Sequence, residues 1–258
     1  MTKEERHNLI LDTLIKYDHI QVTDLAALLG VSSVTIRKDL TELEKANRLY
    51  RSHGKAILIN PYINNRSVNE KEKLATVEKH KIGEYAASRI AKDDSIIIGS
   101  GSTVTAFARC IRPLHRLTAI TSSLQVADIL AGSENIDIIQ LGGILRHSSR
   151  SVVGKNAEQV LSGFSCSQLF LGVDGIDLDF GITTTDLREA ELNRAMMRAT
   201  QKTIVLADSS KFRRRGFSRI GSMDEVDLVI TDSNIPDQIA RRMEELGIEY
   251  VAVEIPSR

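Results

Sequence analysis

The chain has 258 residues, 42% of them hydrophobic, and its 34 basic and 34 acidic residues give a formal net charge of zero at pH 7. A neutral chain has no overall field that attracts nucleic acid or a membrane, so any DNA contact requires a local basic patch. No apolar run reaches the ~18 residues of a membrane span, and the charged N-terminus has no signal-peptide pattern. We therefore expect a cytoplasmic protein with no membrane partner.

The first part of the chain, residues 1–58, has the pattern of short helices followed by a hairpin. A first helix is predicted over about Lys3–Tyr17. A second covers "TDLAALLG", where the Thr23 hydroxyl could cap the start and Gly30 could end the helix with a positive φ. The later stretch "RLYRSHGKAILI" alternates around a glycine turn and predicts a two-stranded wing.

The third helix, predicted from Ser33 to about Ala46, has two unlike faces. Ile36, Leu40 and Leu43 recur at i, i+4 and i+7 and should pack inward, whereas hydroxyls, cations and Val34 lie on the other side. Residues 33–55 hold six Lys or Arg against three acidic residues. The short turn "VSS" before this helix suits a winged helix-turn-helix, although a plain three-helix domain with solvated charges stays open.

A polar segment, "INPYINNRSVNEKEK", separates this part from the rest of the chain. It covers residues 59–73, is rich in asparagine and contains a proline. This composition predicts an exposed linker between a DNA-binding domain, residues 1–58, and a second domain, residues 74–258.

The second domain alternates buried strands with helices, beginning with a helix predicted over about residues 72–91. The predicted strands are Ser95–Gly99, Leu117–Thr121, Ile136–Leu141, Leu169–Val173, Thr203–Ala207, Leu228–Thr231 and Tyr250–Val253. Runs such as "SIIIG" and "DLVIT" are apolar throughout, which is typical of strands buried on both faces of a parallel sheet. The sequence thus predicts an α/β layered domain with a mainly parallel sheet, and an α+β chain overall.

Small polar residues follow several of these strands. The carboxyl ends of parallel strands meet at one edge, where glycine-rich turns and helix N-termini can hold an anion. A single such loop is more often a tight turn, but five strand ends of the same character predict a site for a phosphorylated sugar or polyol. The candidate effector-binding residues are Gly99, Ser100, Gly101, Ser102, Thr103, Thr121, Ser122, Arg146, Asp174 and Lys211.

The stretch "VSSVTIRKDLTELEKANRLYRSHGKAIL" resembles the DNA-binding signature of the DeoR/GlpR family of bacterial regulators, close to V-S-x-x-T-I-R-R-D-L followed by R-x-H-G-G-A. Lys38, Asn47 and Lys55 depart from the usual Arg, Gly and Gly. In the second domain "GSGST", "TSS", "GGILRHSSRSVVG", "VDGIDLDFGITTTDLREAE" and "ADSSKF" occur in the order expected of the family's effector domain. That domain is related to the ribose-5-phosphate isomerase fold.

The resemblance implies which residues contact each ligand. Ser33, Thr35, Arg37 and Lys38 would contact the DNA groove and phosphates, and Val34 a thymine methyl. Arg51 and His53 would be wing contacts. Gly101, Ser102, Thr103 and Lys211 would hold the effector phosphate, with Asp174 and Arg146 on the sugar hydroxyls.

The function implied is a transcriptional regulator, a repressor of a sugar or polyol operon that a phosphorylated sugar releases from operator DNA. A homodimer or larger oligomer on paired half-sites is expected. The alternative is an isomerase-like enzyme with an accessory DNA-binding head, in which Glu189 or Glu191 would be the base. Its loop reads "GITTTD", without the lysine and glycines of such enzymes. The six histidines show no metal-ligand spacing, so neither metal nor cofactor is expected.

Overall fold

The computed structural model describes residues 1–17, 19–45, 49–52, 55–58, 67–92, 94–113 and 115–256. The elements of the N-terminal part are α1 (Lys3–Tyr17), β1 (His19–Gln21), α2 (Val22–Leu29), α3 (Ser33–Lys45), β2 (Leu49–Ser52) and β3 (Lys55–Leu58). Strand β3 pairs antiparallel with both β1 and β2, so the predicted wing hairpin forms and is extended by β1, which the sequence pattern did not predict.

Local chemistry explains the bounds of these helices. Gly30 ends α2 with a φ of 64°, as predicted, and the Ser32 hydroxyl accepts the Thr35 N–H at 3.1 Å to cap α3. The prediction for Thr23 is wrong. Helix α2 begins one residue earlier, at Val22, and the Thr23 hydroxyl contacts Asp24 instead of a backbone amide.

The third helix is anchored to the rest of its domain by an apolar face and by one buried carboxylate. Ile36, Leu40 and Leu43 are at most 5% exposed and belong to the domain's hydrophobic cluster. Asp39 accepts hydrogen bonds from Arg6 of α1, one of them at 2.9 Å. Burial raises the pKa of Asp39, but Arg6 outweighs burial and the net pKa lies below its ordinary value. The opposite face of α3 is thereby held toward solvent.

The second domain is built on a parallel sheet. Its elements are α4 (Val68–Glu72), α5 (Thr76–Ala87), β4 (Ser95–Ile98), α6 (Ser102–Cys110), β5 (Leu117–Thr121), α7 (Leu124–Leu130), β6 (Ile136–Gln140), β7 (Ile144–Arg146), β8 (Ser151–Val153), α8 (Lys155–Leu161), β9 (Cys166–Gly172), β10 (Gly175–Asp177), β11 (Gly181–Thr184), α9 (Leu187–Arg198), β12 (Thr200–Leu206), β13 (Ser218–Gly221), β14 (Leu228–Asp232), α10 (Asp237–Glu245) and β15 (Tyr250–Val253).

The main sheet has the strand order β15-β14-β12-β9-β4-β5-β6 over the described residues, and every neighbouring pair in it is parallel. Consecutive side chains of β4 point to opposite faces. Ile97 packs into one hydrophobic cluster, and Ile96 and Ile98 pack into the other. The sheet is therefore buried on both faces, as its apolar runs predicted. Strands β9 and β12 each begin three residues before the predicted position.

Two smaller pieces of sheet were not predicted. Strands β7 and β8 form an antiparallel hairpin, and β11 pairs antiparallel with β10 and β13. These strands have three or four residues each, too few for a periodic pattern to register. Gly181 is required in the second piece, because it has a φ of 111° and a Cβ there would lie 2.1 Å from the Gly221 carbonyl oxygen. The hairpin and this sheet carry Arg146 and Thr184.

The helix predicted over about residues 72–91 is shorter in the structure, where α5 covers Thr76–Ala87, and a separate short helix, α4, which was not predicted, precedes it. Ser67 and Glu70 form a capping box that starts α4, and Ala75, with a φ of 49°, separates α4 from α5. Val68 is 2% exposed. Residues 67–73, expected to belong to an exposed linker, therefore pack on the second domain.

Candidate functional site

The exposed face of α3 is the candidate nucleic-acid interface. Arg37 and Lys38 are exposed, Val34 is 71% exposed, and Ser33 and Thr35 are half-buried at the start of the helix. Val34 and Lys38 lie on the side of the helix away from the buried Leu40, and Thr35 and Arg37 lie on its flanks. Ser33 is seven residues before Leu40 and belongs to the first turn of the helix, so the predicted contact residues cover the exposed side and the start of α3.

The predicted wing contacts are only partly described. Arg51 lies in the backbone of β2, and its side chain is outside the described parts of the structure. His53 lies outside the described residues altogether. Their contribution to DNA binding stays a prediction.

The second candidate site is a pocket at the carboxyl ends of β4 and β9. Gly101, with a φ of 116°, leads into α6 and has no side chain to cap it. The first amides of α6 therefore have no partner within the helix, and the positive end of the helix dipole lies at the pocket. Gly172 ends β9, and a Cβ there would approach the Ser100 carbonyl oxygen to 2.8 Å. Only glycine lets β9 pass so close behind the loop.

Charged side chains from distant parts of the chain meet in this pocket. The Lys71 ammonium donates to Asp174 Oδ1 at 2.6 Å. The Thr184 hydroxyl lies 3.2 Å from both Asp174 Oδ2 and Glu189 Oε2. Glu189 also accepts from Arg146 and from the Ser100 hydroxyl, each at 3.1 Å. These contacts join the cations and carboxylates in one network, and Lys211 also lines the pocket.

The electrostatics of the two carboxylates differ. Burial raises the pKa of Asp174, but Lys71 and Lys211 together outweigh it, so the net pKa lies below its ordinary value. Burial raises the pKa of Glu189, and the Asp174 anion raises it further. Burial lowers the pKa of the Lys211 ammonium. Asp174 is thus the carboxylate that stays ionised, and Glu189 is the one that takes up a proton more readily.

The structure brings together most of the predicted effector residues. Those that line the pocket are Ser100, Gly101, Ser102, Thr103, Arg146, Asp174 and Lys211. Three predicted residues do not line it, because their polar groups serve the fold. The Gly99 N–H bonds to the Phe170 carbonyl, the Thr121 hydroxyl accepts the Ser123 N–H, and the Ser122 carbonyl accepts the Val152 N–H.

The pocket also includes residues that the strand-end argument missed. They are Val68, Lys71, Ser148, Ser149, Gly172, Val173, Thr184 and Glu189. Ser148 and Ser149 could have been found, since they follow Arg146 in "RHSSR". Glu189 was considered only as a possible base. Nothing in the sequence indicated Lys71 as a pocket residue, because it lies in a segment whose composition predicted a linker.

Among the described residues, no group of three or more His, Cys, Asp or Glu side chains is arranged to bind a metal ion. No helix in the described ranges is both long and apolar enough to cross a bilayer.

A winged helix-turn-helix joined to a ligand-pocket domain defines a ligand-responsive DNA-binding regulator. Residues 6–62 match the DeoR-like helix-turn-helix domain, and residues 74–233 match the DeoR C-terminal sensor domain. The chain therefore belongs to the DeoR family of transcriptional regulators. The predicted family and fold class are confirmed.

Individual relatives are similar over nearly the whole chain. It is 36% identical over 252 residues to the putative aga operon transcriptional repressor of Escherichia coli O157:H7, covering 96% of this chain and 93% of that protein. It is 34% identical over 255 residues to the transcriptional repressor GlcR of Bacillus subtilis, covering 98% of each. A solved ribose 5-phosphate isomerase A from Neisseria gonorrhoeae is 18% identical over 53% of each chain, with a TM-score of 0.36.

The family and the relatives decide between the functions left open by the sequence. The sequence relatives are named as transcriptional regulators or repressors. The chain is a DNA-binding transcriptional regulator and not an enzyme, so the isomerase alternative is not supported.

Proposed function

We propose that this regulator represses a sugar or polyol catabolic operon and leaves its operator when a phosphorylated sugar enters the pocket of the second domain. The observation that carries the proposal is the pocket itself, where free helix amides and cations lie beside ionisable carboxylates. Cations and helix N-termini suit a phosphate, whereas carboxylates suit hydroxyl groups. A phosphorylated sugar carries both kinds of group.

The phosphate end is assigned to the loop from Ser100 to Thr103 and to Lys211. The amides at the start of α6 point into the pocket at the positive end of the helix. Lys211 adds a cation that is largely removed from water, where a charge-assisted hydrogen bond is strong. These groups bind an anion without needing a metal ion.

The sugar end is assigned to Asp174, with Arg146 and Glu189 beside it. Asp174 stays ionised and can accept hydrogen bonds from hydroxyl groups. Glu189 is held by Arg146, Ser100 and Thr184, so it is tied into the pocket wall. The stretch "GITTTD", which forms β11 and the turn after it, contains no lysine, so the pocket is suited to binding a sugar phosphate unchanged.

The DNA end is assigned to the exposed face of α3, with Ser33, Val34, Thr35, Arg37 and Lys38 at the major groove. Arg51 and His53 are proposed as wing contacts. One small winged domain reads few base pairs, so we propose a homodimer or larger oligomer that binds paired half-sites of the operator. Phosphate contacts add affinity and base contacts add sequence choice.

The test first measures binding of small phosphorylated compounds and then measures their effect on DNA binding. Ribose 5-phosphate, fructose 6-phosphate, glucose 6-phosphate, glycerol 3-phosphate and inorganic phosphate are screened by thermal shift at fixed pH and salt. A compound that binds the folded state raises its stability as RT ln(1 + [L]/Kd). The compound with the largest shift, here named the probe, is then added to the protein bound to a duplex selected from a random library, here named the selected duplex.

We expect the probe to raise the melting temperature and to release the selected duplex in a gel-shift assay, with the compound recovered unchanged. Failure of the wild-type protein to retain any duplex from the library would contradict the assignment of α3. Conversion of the probe at a measurable turnover, or indifference of DNA binding to every compound, would contradict the assignment of the pocket.

A further inference from the structure

Helix α4 lies between the two regions that match known domains. The matched ranges end at residue 62 and resume at residue 74, so the helix falls in the gap. It is nevertheless fastened to the second domain. Val68 is 2% exposed, and its N–H donates to the Ser148 carbonyl at 2.7 Å. Ser148 lines the pocket on the turn that follows Arg146. The start of α4 is therefore attached to the hairpin that carries a pocket cation.

The side chain of Lys71 enters the pocket from this helix. Its ammonium lies 2.6 Å from Asp174 Oδ1, and the two side chains are 19% and 12% exposed. Asp174 is the carboxylate assigned to the sugar, and its other oxygen accepts from Thr184. A residue of the connecting segment is thus the direct ion-pair partner of a proposed effector contact.

The far end of α4 is held by a buried cation. Lys79 is 4% exposed, and its ammonium donates to the carbonyls of Lys71 and Leu74, each at 2.6 Å. Glu72 accepts from Arg109 of α6 at 3.4 Å. Helix α6 is the helix whose N-terminus faces the pocket. Both ends of α4 therefore contact elements that contribute to the pocket wall. The side chain of Lys71, from the same helix, reaches into the pocket.

We propose that Lys71 is the residue through which a phosphorylated sugar in the pocket acts on α4 and on the chain that leads to the DNA-binding domain. This inference rests on the proposed function. A sugar hydroxyl that bonds to Asp174 competes with Lys71 for the carboxylate, and a phosphate offers the Lys71 ammonium another anion. Occupancy of the pocket thereby changes the pair that holds α4. Eight residues separate Ser67 from the end of β3 at Leu58.

Thermodynamic linkage sets a requirement for any coupling between the pocket and DNA binding. A ligand shifts an equilibrium only by the difference in its affinity for the two states, and allosteric coupling factors are typically about 5- to 150-fold. The Lys71–Asp174 pair supplies that difference, because ligand and ion pair use the same carboxylate. Without the Lys71 ammonium, a ligand would still find the α6 amides and Lys211, but α4 would have no charged contact that depends on it.

The experiment compares the full-length wild type with Lys71→Met and with Lys73→Met. Methionine keeps an unbranched apolar side chain and removes the charge. Lys73 is an exposed neighbour at the end of the same helix, so it is the matched control. The dissociation constant of the selected duplex is measured without the probe and with the probe at saturation for each protein, and the ratio is the coupling factor.

We expect a coupling factor near one for Lys71→Met and a wild-type value for Lys73→Met. A wild-type coupling factor in Lys71→Met at saturating probe, or an equal loss in both variants, overturns the inference and leaves the proposed function intact. If no compound changes DNA binding by the wild type, the proposed function fails and the inference fails with it.

If Lys71→Met no longer binds the probe, hydrogen exchange in the wild type tests whether α4 responds to occupancy of the pocket. In the wild type, we expect the probe to change exchange of the backbone amides in residues 67–75 and to leave those of α10 unchanged. An unchanged exchange rate in residues 67–75 with the probe bound overturns the inference, since α4 would then not respond to occupancy.

Discussion

The exposed face of α3, proposed to read DNA and here called the reading face, and the pocket proposed to bind the effector are built in opposite ways. The reading face consists of residues close together in the sequence of one helix, with Val34, Arg37 and Lys38 exposed and the apolar face underneath. The pocket is assembled from residues as distant as Lys71 and Lys211, and its charges are already paired with one another. The first surface presents free charges to a large polyanion. The second must exchange its internal partners for those of a small ligand.

This difference explains why the two sites respond differently to change. An exposed cation on α3 can be removed with little effect on the fold, because water solvates it in the free protein. A charge in the pocket is linked to its neighbours, so its removal leaves a partner such as Asp174 or Glu189 unbalanced. We therefore expect clean functional effects on α3 and coupled effects in the pocket, and the variants below are ordered from the largest expected effect.

The largest effect is expected beneath the reading face. Leu40→Ala removes a side chain that is 0% exposed in the core of the DNA-binding domain, and such truncations cost about 2–5 kcal/mol. We expect this domain to unfold at a lower denaturant concentration than in the wild type, and we expect DNA binding to be lost. Val34→Ala on the exposed face is the control, with an expected change in stability below about 0.5 kcal/mol. Equal destabilisation by both variants would contradict the assignment of the two faces of α3.

In the pocket, Lys211→Met is expected to weaken binding of the probe by about 10- to 150-fold, because a hydrogen bond to a charged group contributes about 1.5–3 kcal/mol. Calorimetric titration measures this effect. The affinity for the selected duplex without the probe should be unchanged. Lys202→Met on β12 is the matched control, since Lys202 is exposed. Wild-type probe affinity in Lys211→Met would remove this residue from the phosphate site.

On the reading face, Arg37→Ala is expected to reduce affinity for the selected duplex by about 1–3 kcal/mol if Arg37 contacts a base. Binding isotherms at several salt concentrations separate this from a phosphate contact, which lowers the salt slope by about one. Thermal stabilisation by the probe should be unaffected. Lys16→Ala, an exposed cation of α1, is the control in the same domain. If the two variants bind DNA equally well, α3 is not the recognition helix.

The smallest effect is a pH dependence of stability caused by Lys79. Burial lowers the pKa of its ammonium to about 8, against an ordinary value of 10.5. Between these values the folded protein has lost a proton that the unfolded chain keeps, so stability from this group rises with pH. We expect the wild type to gain on the order of 1–2 kcal/mol over Lys79→Met between pH 8 and pH 10, measured by denaturant unfolding. If the stability of the wild type rises with pH by the same amount relative to Lys73→Met as relative to Lys79→Met, Lys79 is not the cause.

Sequence reasoning succeeded where a structural feature depends on residues close together in the chain. The bounds of α1 and the stop at Gly30 follow from local chemistry, and the structure has them as predicted. The strands of the parallel sheet were found because each contains a short, mainly apolar run. Their order and parallel pairing follow from hydrogen bonds between distant segments and could not be read from any one of them.

The same reasoning does not distinguish the polar residues at a strand end that line the pocket from those that bond within the fold. Thr121 and Ser122 end a strand at the right edge, as the pocket residues do, yet their polar groups bond to Ser123 and Val152. Composition was misleading at α4, because a polar, asparagine-rich segment was expected to be solvated along its whole length. Val68, the apolar residue at the start of α4, is buried against the second domain.

The amino-acid order alone determined that a DNA-reading helix precedes an α/β domain with polar strand ends, because periodicity, caps and signature residues act within a few positions of one another. Only the tertiary structure decided which polar groups converge. Ion pairs such as Lys71 with Asp174, 103 positions apart, exist because the folded backbone brings the two charges to 2.6 Å in a partly buried site. Coulomb attraction and desolvation depend on that distance and burial, and neither quantity is written in the order of the residues.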